Sequence, residues 1–106
     1  MLHPRKLRPE FFRTELLAHV SPHGRLLLLG LWSMAGKDRT IEHGTARIRA
    51  DVFPYEPDID MEELLSELED TLEPFITRET IPADDDFPEM NFIIVHQLVF
   101  EEAMLP

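Results

Sequence analysis

Apolar positions along this chain recur with two different periods. Between residues 60 and 73, Met61, Leu64, Leu65, Leu68 and Leu72 fall at helical spacing and make one stripe. The other faces hold Glu62, Glu63, Glu67, Glu69, Asp70 and Glu73, with no Lys or Arg among them. Asp60 followed three residues later by Glu63 fits a capping box, and Pro74 is expected to stop the helix. Upstream, Ser21-Pro22 is a helix start: Ser is a favoured N-cap, and Pro at the first helical position loses no needed hydrogen bond. The segment that follows, through Ala35, is apolar on nearly every face, which predicts a central core helix with Gly36 at its C′ position. A shorter helix is expected over residues 46–52, with Thr45 as its cap and Phe53-Pro54 as its end.

The second period is that of strands. Residues 75–81 are rich in β-branched side chains, and residues 91–100 form the clearest strand in the chain. The polar stretch 82–89, with Asp84-Asp85-Asp86, joins them as a hairpin loop. Residues 40–42 read as a short strand after a turn at 37–39. Residues 10–20 read as a short helix or turn that buries Phe11, Phe12, Leu16, Leu17 and Val20. A basic arm (1–9) and a tail (101–106) flank a single domain. The order helix, short strand, helix, helix, strand, loop, strand is that of an α+β winged helix-turn-helix: a three-helix core with a C-terminal β-hairpin wing. Residues 46–52 and 60–72 then form the helix-turn-helix pair, and 82–89 the wing.

Charge changes this picture. Residues 1–49 hold nine of the ten Lys/Arg against four acids, net +5. Residues 50–106 hold Arg78 alone against seventeen acids, net −16. The C-terminal half should repel nucleic acid and attract basic surfaces. There is no cysteine, so disulfides and Cys-based zinc sites are excluded. The longest apolar run, Leu26 to Trp32, is too short for a membrane span. No apolar segment directly follows the basic N-terminus, so no secretory signal is read, and the expected location is the cytoplasm of a bacterial host.

Arg8-Pro9-Glu10-Phe11-Phe12, Ser21-Pro22, Arg25-Leu26-Leu27 and Gly30-Leu31-Trp32 occur in that order. Phe53-Pro54-Tyr55 and Leu64-Leu65-Ser66-Glu67-Leu68 follow. Over residues 6–76 the chain thereby resembles the N-terminal winged-helix domain of phage replication-type, replisome-organiser-like proteins. The resemblance implies a winged-helix fold, a phage or prophage origin, and association with DNA at replication origins or operators. The sequence departs from that pattern in its acidic wing, where a phosphate-contacting wing would carry Lys or Arg. It also stops at Pro106, without the larger C-terminal part of such proteins.

Two readings of the surface compete. A DNA-reading helix needs Arg, Lys, Asn or Gln aimed at base edges, and cations near phosphates. The helix over 60–73 offers carboxylates, Ser66 and Thr71 instead, so duplex contacts would fall to Arg5, Lys6, Arg8, Arg47 and Arg49. The other reading is mimicry. A rigid helix bearing Glu62, Glu63, Glu67, Glu69, Asp70 and Glu73, beside a wing bearing Asp84, Asp85 and Asp86, resembles a ladder of phosphates. It would enter a basic nucleic-acid channel of a partner, as small acidic phage inhibitors of nucleases or CRISPR effectors do. The expected function is therefore a phage-derived interaction protein acting on such a host protein, with the DNA-binding domain as the alternative.

Other chemistry finds no motif. There is no Gly-rich phosphate loop, no Cys nucleophile and no Gly-x-Ser-x-Gly, so neither an enzyme nor a cofactor is expected. Asp84-Asp85-Asp86 with Glu89 lacks the EF-hand pattern, and the five His are scattered without ligand spacing, so no metal site is expected. A long apolar strand at 91–100 would invite a homodimer if it lay at a sheet edge. Trp32 and Tyr55 are expected at the core and its rim.

Overall fold

Ser21 opens the longest helix, α1 (Pro22–Met34), and does so as its sequence predicts. Its hydroxyl accepts from the Gly24 amide at 3.1 Å, and Pro22 occupies the first turn. The computed structural model describes residues 9–36, 38–42, 44–71 and 73–96, with the side chain of Glu10 left aside. Within them lie three α-helices and a three-stranded antiparallel sheet, an α+β arrangement. The elements after α1 are β1 (Thr40–Ile41), α2 (Thr45–Val52), α3 (Met61–Glu69), β2 (Ile76–Ile81) and β3 (Met90–Val95). Two short 3₁₀ turns, Pro9–Arg13 and Glu15–Leu17, precede them.

α1 is the hub of the core. Leu27, Leu28 and Leu31 are completely buried and meet Ile48 and Phe53 from α2 and its end, and Leu65 and Leu68 from α3. Ile76, Ile93 and Val95 close the core from the sheet, and Phe11, Leu17 and Val20 from the N-terminal turns. Gly30 sets how near α2 can come: a Cβ there would stand 2.5 Å from Val52 Cγ2 and 2.9 Å from Cγ1. Sheet order is β1-β3-β2, with β3 central. The hairpin runs in register from Ile76↔Val95 to Ile81↔Met90.

Several boundaries differ from the sequence expectations, each for a local reason. α2 begins at Thr45, with Gly44 as its N-cap and no side-chain cap bond, so Thr45 lies inside the helix. α3 ends at Glu69 rather than running on to Pro74. Asp70, at φ −88° and ψ 52°, leaves the helix, and the turn that follows lets the Phe75 amide reach the Leu68 carbonyl at 3.0 Å. Phe75 is thereby buried, so a core position and not the proline decides the stop. β3 ends at Val95. The His96 amide still bonds the Phe75 carbonyl, while the Phe75 amide is engaged by the Leu68 carbonyl instead of by β3. Residues 97–100 and Leu72 lie outside the described residues.

Gly36 does not take the left-handed conformation; Arg39 does, at φ 62°. Phe12 and Leu16 are exposed, Phe12 by 71%. The 3₁₀ turn cannot bury two successive rings, and Phe11 takes the core position with Phe12 edge-on to it at 5.6 Å. Tyr55 is 90% exposed rather than at the core rim, because Phe53 occupies the buried place at the end of α2. Trp32 is partly buried, packed against the core.

Candidate protein-binding face

The acids of α3 do not behave as one ladder. Helical spacing puts Glu62 and Glu69 on the same face, seven residues apart, and that face lies against β2. Arg78, at the third position of β2, bridges them. Its Nη1 and Nη2 donate to the two Glu62 oxygens at 2.8 Å each, a fork-to-fork pair. Its Nε and Nη2 donate to Glu69 Oε1 at 2.7 and 2.5 Å. Hydrogen bonds from Arg78, and then its charge, hold the Glu62 carboxyl below its usual range. The two carboxylates in turn raise the Arg78 pKa above its ordinary value.

Glu67 is used differently. Its Oε1 accepts from the Ser21 amide and its Oε2 from the Ser21 hydroxyl, both at 2.8 Å. The carboxylate so ties the N-terminus of α1 to α3 across 46 residues of sequence. Glu63 lies in the first turn of α3, where its own amide is capped by Asp60 Oδ1 at 3.1 Å and its side chain is exposed. Asp70 and Glu73 are exposed beyond the helix end. In the 82–89 loop, Asp84 shapes the turn: Oδ1 accepts from the Asp86 and Phe87 amides at 2.9 and 2.7 Å. Asp85 and Asp86 are exposed, and Phe87 stands 65% exposed beside them.

The nine predicted acids therefore divide. Glu62, Glu67, Glu69 and Asp84 hold the fold together, while Glu63, Asp70, Glu73, Asp85 and Asp86 carry the outward charge. Fifteen of the seventeen acids after residue 49 precede residue 97, and the single cation among them is already engaged by two carboxylates. Sequence reasoning missed Arg78 and Ser21 as partners. The signal for Arg78 was its isolation as the one cation of that half, combined with the seven-residue spacing of Glu62 and Glu69. No comparable signal marks the pairing of Ser21 with Glu67.

Of the alternative cationic set, Arg47 and Arg49 are the described members. Arg47 is exposed and Arg49 half-buried on α2, and residues two apart on a helix point to different sides. Arg5, Lys6 and Arg8 lie outside the described residues. An open groove of about 390 Å³ runs between the start of α2, α3 and the sheet, lined by Thr45, Leu65, Arg78, Thr80 and Asn91 among others. Among the described residues, no group of three or more His, Asp or Glu could hold a metal ion. No helix there is long and apolar enough to cross a membrane. Compared with family models, curated proteins and solved structures, the chain matches none.

Proposed function

We propose that this chain is a non-enzymatic interaction protein of the winged-helix class, with α3 in the recognition-helix position and 82–89 as the wing. Its acidic face binds a basic nucleic-acid-binding surface on another protein. The element order, the β1-β3-β2 sheet and the packing of α1 against both other helices support the class. One observation carries the function: the only cation after residue 49 is consumed internally by Glu62 and Glu69, so nothing on that half offsets its outward carboxylates. DNA, with one charge per about 1.7 Å of axis, would be repelled there, whereas a basic channel would be attracted. By the resemblance over residues 6–76 we propose a phage origin, and by the small size and acidic charge of the chain a host nuclease or CRISPR-type effector as partner.

The test uses the outward acids only. The variant Glu63→Lys, Asp70→Lys, Glu73→Lys, Asp85→Lys leaves every described side-chain tie in place. It should keep the unfolding transition of the parent and lose capture of the basic effector. The parent should give no gel shift with random duplex DNA at low salt. Micromolar or tighter DNA binding by the parent, weakening steeply with salt, would overturn the reading in favour of a DNA-binding domain.

A further inference from the structure

Tyr55 holds its ring clear of the protein body, 90% exposed, and the loop beneath it is built to keep it there. Between α2 and α3 the chain makes two successive turns that share Glu56. The Glu56 amide donates to the Phe53 carbonyl at 3.3 Å across Pro54-Tyr55, and the Ile59 amide to the Glu56 carbonyl at 3.4 Å across Pro57-Asp58. Proline suits the second place of such a turn because its ring already fixes φ. Tyr55 and Asp58 each take the third place. Both ends of the loop are tied down: Phe53 is completely buried, Ile59 packs against the core, and Asp60 caps α3. The ring is therefore presented on backbone with little freedom left to lose on binding.

Charge along this stretch has one sign. Asp51, Glu56 and Asp58 are exposed on either side of Tyr55 in sequence, and residues 50–77 contain no Lys, Arg or His. An apolar pocket closing over the ring would strip water from these carboxylates and give nothing back. Nucleic-acid phosphate would be repelled. An ammonium group would answer the carboxylates, but it is compact, strongly hydrated and has no plane to lay on the ring. A guanidinium answers both: its face stacks on the phenol while its edge N–H groups donate to a carboxylate. We infer that the 53–60 loop is a binding site for an arginine side chain of a partner protein, with Tyr55 as the stacking surface and Glu56 or Asp58 as the acceptor. This rests on the reading that the partner is basic, and it adds which cation meets the loop. It also extends the binding surface beyond the outward acids of α3 and the wing.

Tyr55 is the only tyrosine of the chain, so fluorotyrosine labelling reports on it alone. The probes are oligo-arginine and oligo-lysine peptides of equal length, titrated into the full chain at low salt. Oligo-arginine should carry the fluorine resonance to a new, saturating position, and oligo-lysine should leave it close to where it began. Tyr55→Leu keeps an apolar side chain but removes the ring face. It should weaken oligo-arginine binding about fivefold and leave oligo-lysine binding unchanged, while Tyr55→Phe should match the parent. Binding of oligo-arginine with an unmoved resonance, or with equal affinity for parent and Tyr55→Leu, would overturn this inference and leave the acidic face standing. An equal shift with oligo-lysine would do the same, because charge alone would then account for it. Binding of neither peptide would overturn this inference and the proposed function together.

Discussion

Replacing Glu67 with Ala should destabilise the domain far more than replacing any outward acid. The substitution removes two acceptors at once, from the Ser21 amide and the Ser21 hydroxyl, at 2.8 Å each. A hydrogen bond to a charged group contributes roughly 1.5–3 kcal/mol when buried. Both partners here are only part-buried, so water replaces some of the loss, and a total of about 1–3 kcal/mol is expected. With an m-value of about 1–1.5 kcal/mol/M for a domain of this size, the urea midpoint should fall by roughly 1–2 M. Glu73→Ala is the control: its side chain is exposed and has no described partner, so its stability should stay within about 0.5 kcal/mol of the parent, a midpoint shift of at most about 0.5 M. Glu67→Gln, which keeps one acceptor oxygen, should fall between them. Chemical denaturation followed by far-UV circular dichroism measures all three. Equal midpoints for Glu67→Ala and Glu73→Ala would refute the division of acids into ties and surface charge.

Gly30→Ala should cost up to about 2 kcal/mol, because the clash with Val52 outweighs a helix-propensity gain of about 1 kcal/mol. In a Val52→Ala background the same change should become neutral or stabilising, and a double-mutant cycle that showed no coupling would refute the close approach. Arg78→Met should destabilise at neutral pH by leaving Glu62 and Glu69 side by side without their counter-ion. The Glu62 carboxyl is held below its ordinary range, so its share of stability is present above the ordinary carboxylate pKa and lost as pH falls through the folded value. The gap between parent and Arg78→Met should therefore narrow below about pH 4, and a gap that widened in acid would contradict the pairing. Asp84→Ala should speed amide exchange at Asp86 and Phe87, while Asp85→Ala should leave both unchanged.

Features governed by neighbours in sequence were legible before any coordinates. The Ser21-Pro22 start, the Asp60 cap and the stripe Met61, Leu64, Leu65, Leu68 depend on residues within one or two turns, and each is found in place. The short strand at Thr40–Ile41 could be placed too, although not its pairing with Ile93 and Ile94. What resisted reading is long-range. Ser21 and Glu67 are 46 positions apart, and Arg78 is 16 from Glu62, so no local pattern separates a structural acid from a surface one. The same limit explains Phe12 and Tyr55. Each is as apolar or aromatic as its buried neighbour, Phe11 or Phe53, and only the course of the backbone decides which ring turns inward.

Ser21 does two opposite jobs with one oxygen: it accepts from the Gly24 amide and donates to Glu67. Only a hydroxyl can do both. Asp and Asn are elsewhere as good at a helix start as Ser. Here Asp would set a second carboxylate against Glu67, and Asn would have to bring both its oxygen and its nitrogen to bear from a longer stem. If position 21 were randomised and selected for folding, the survivors should narrow to Ser and Thr. The usual four-way tolerance of a cap is thus reduced to two by a residue on another helix, so an apparently local signal in this sequence also encodes a contact between distant segments.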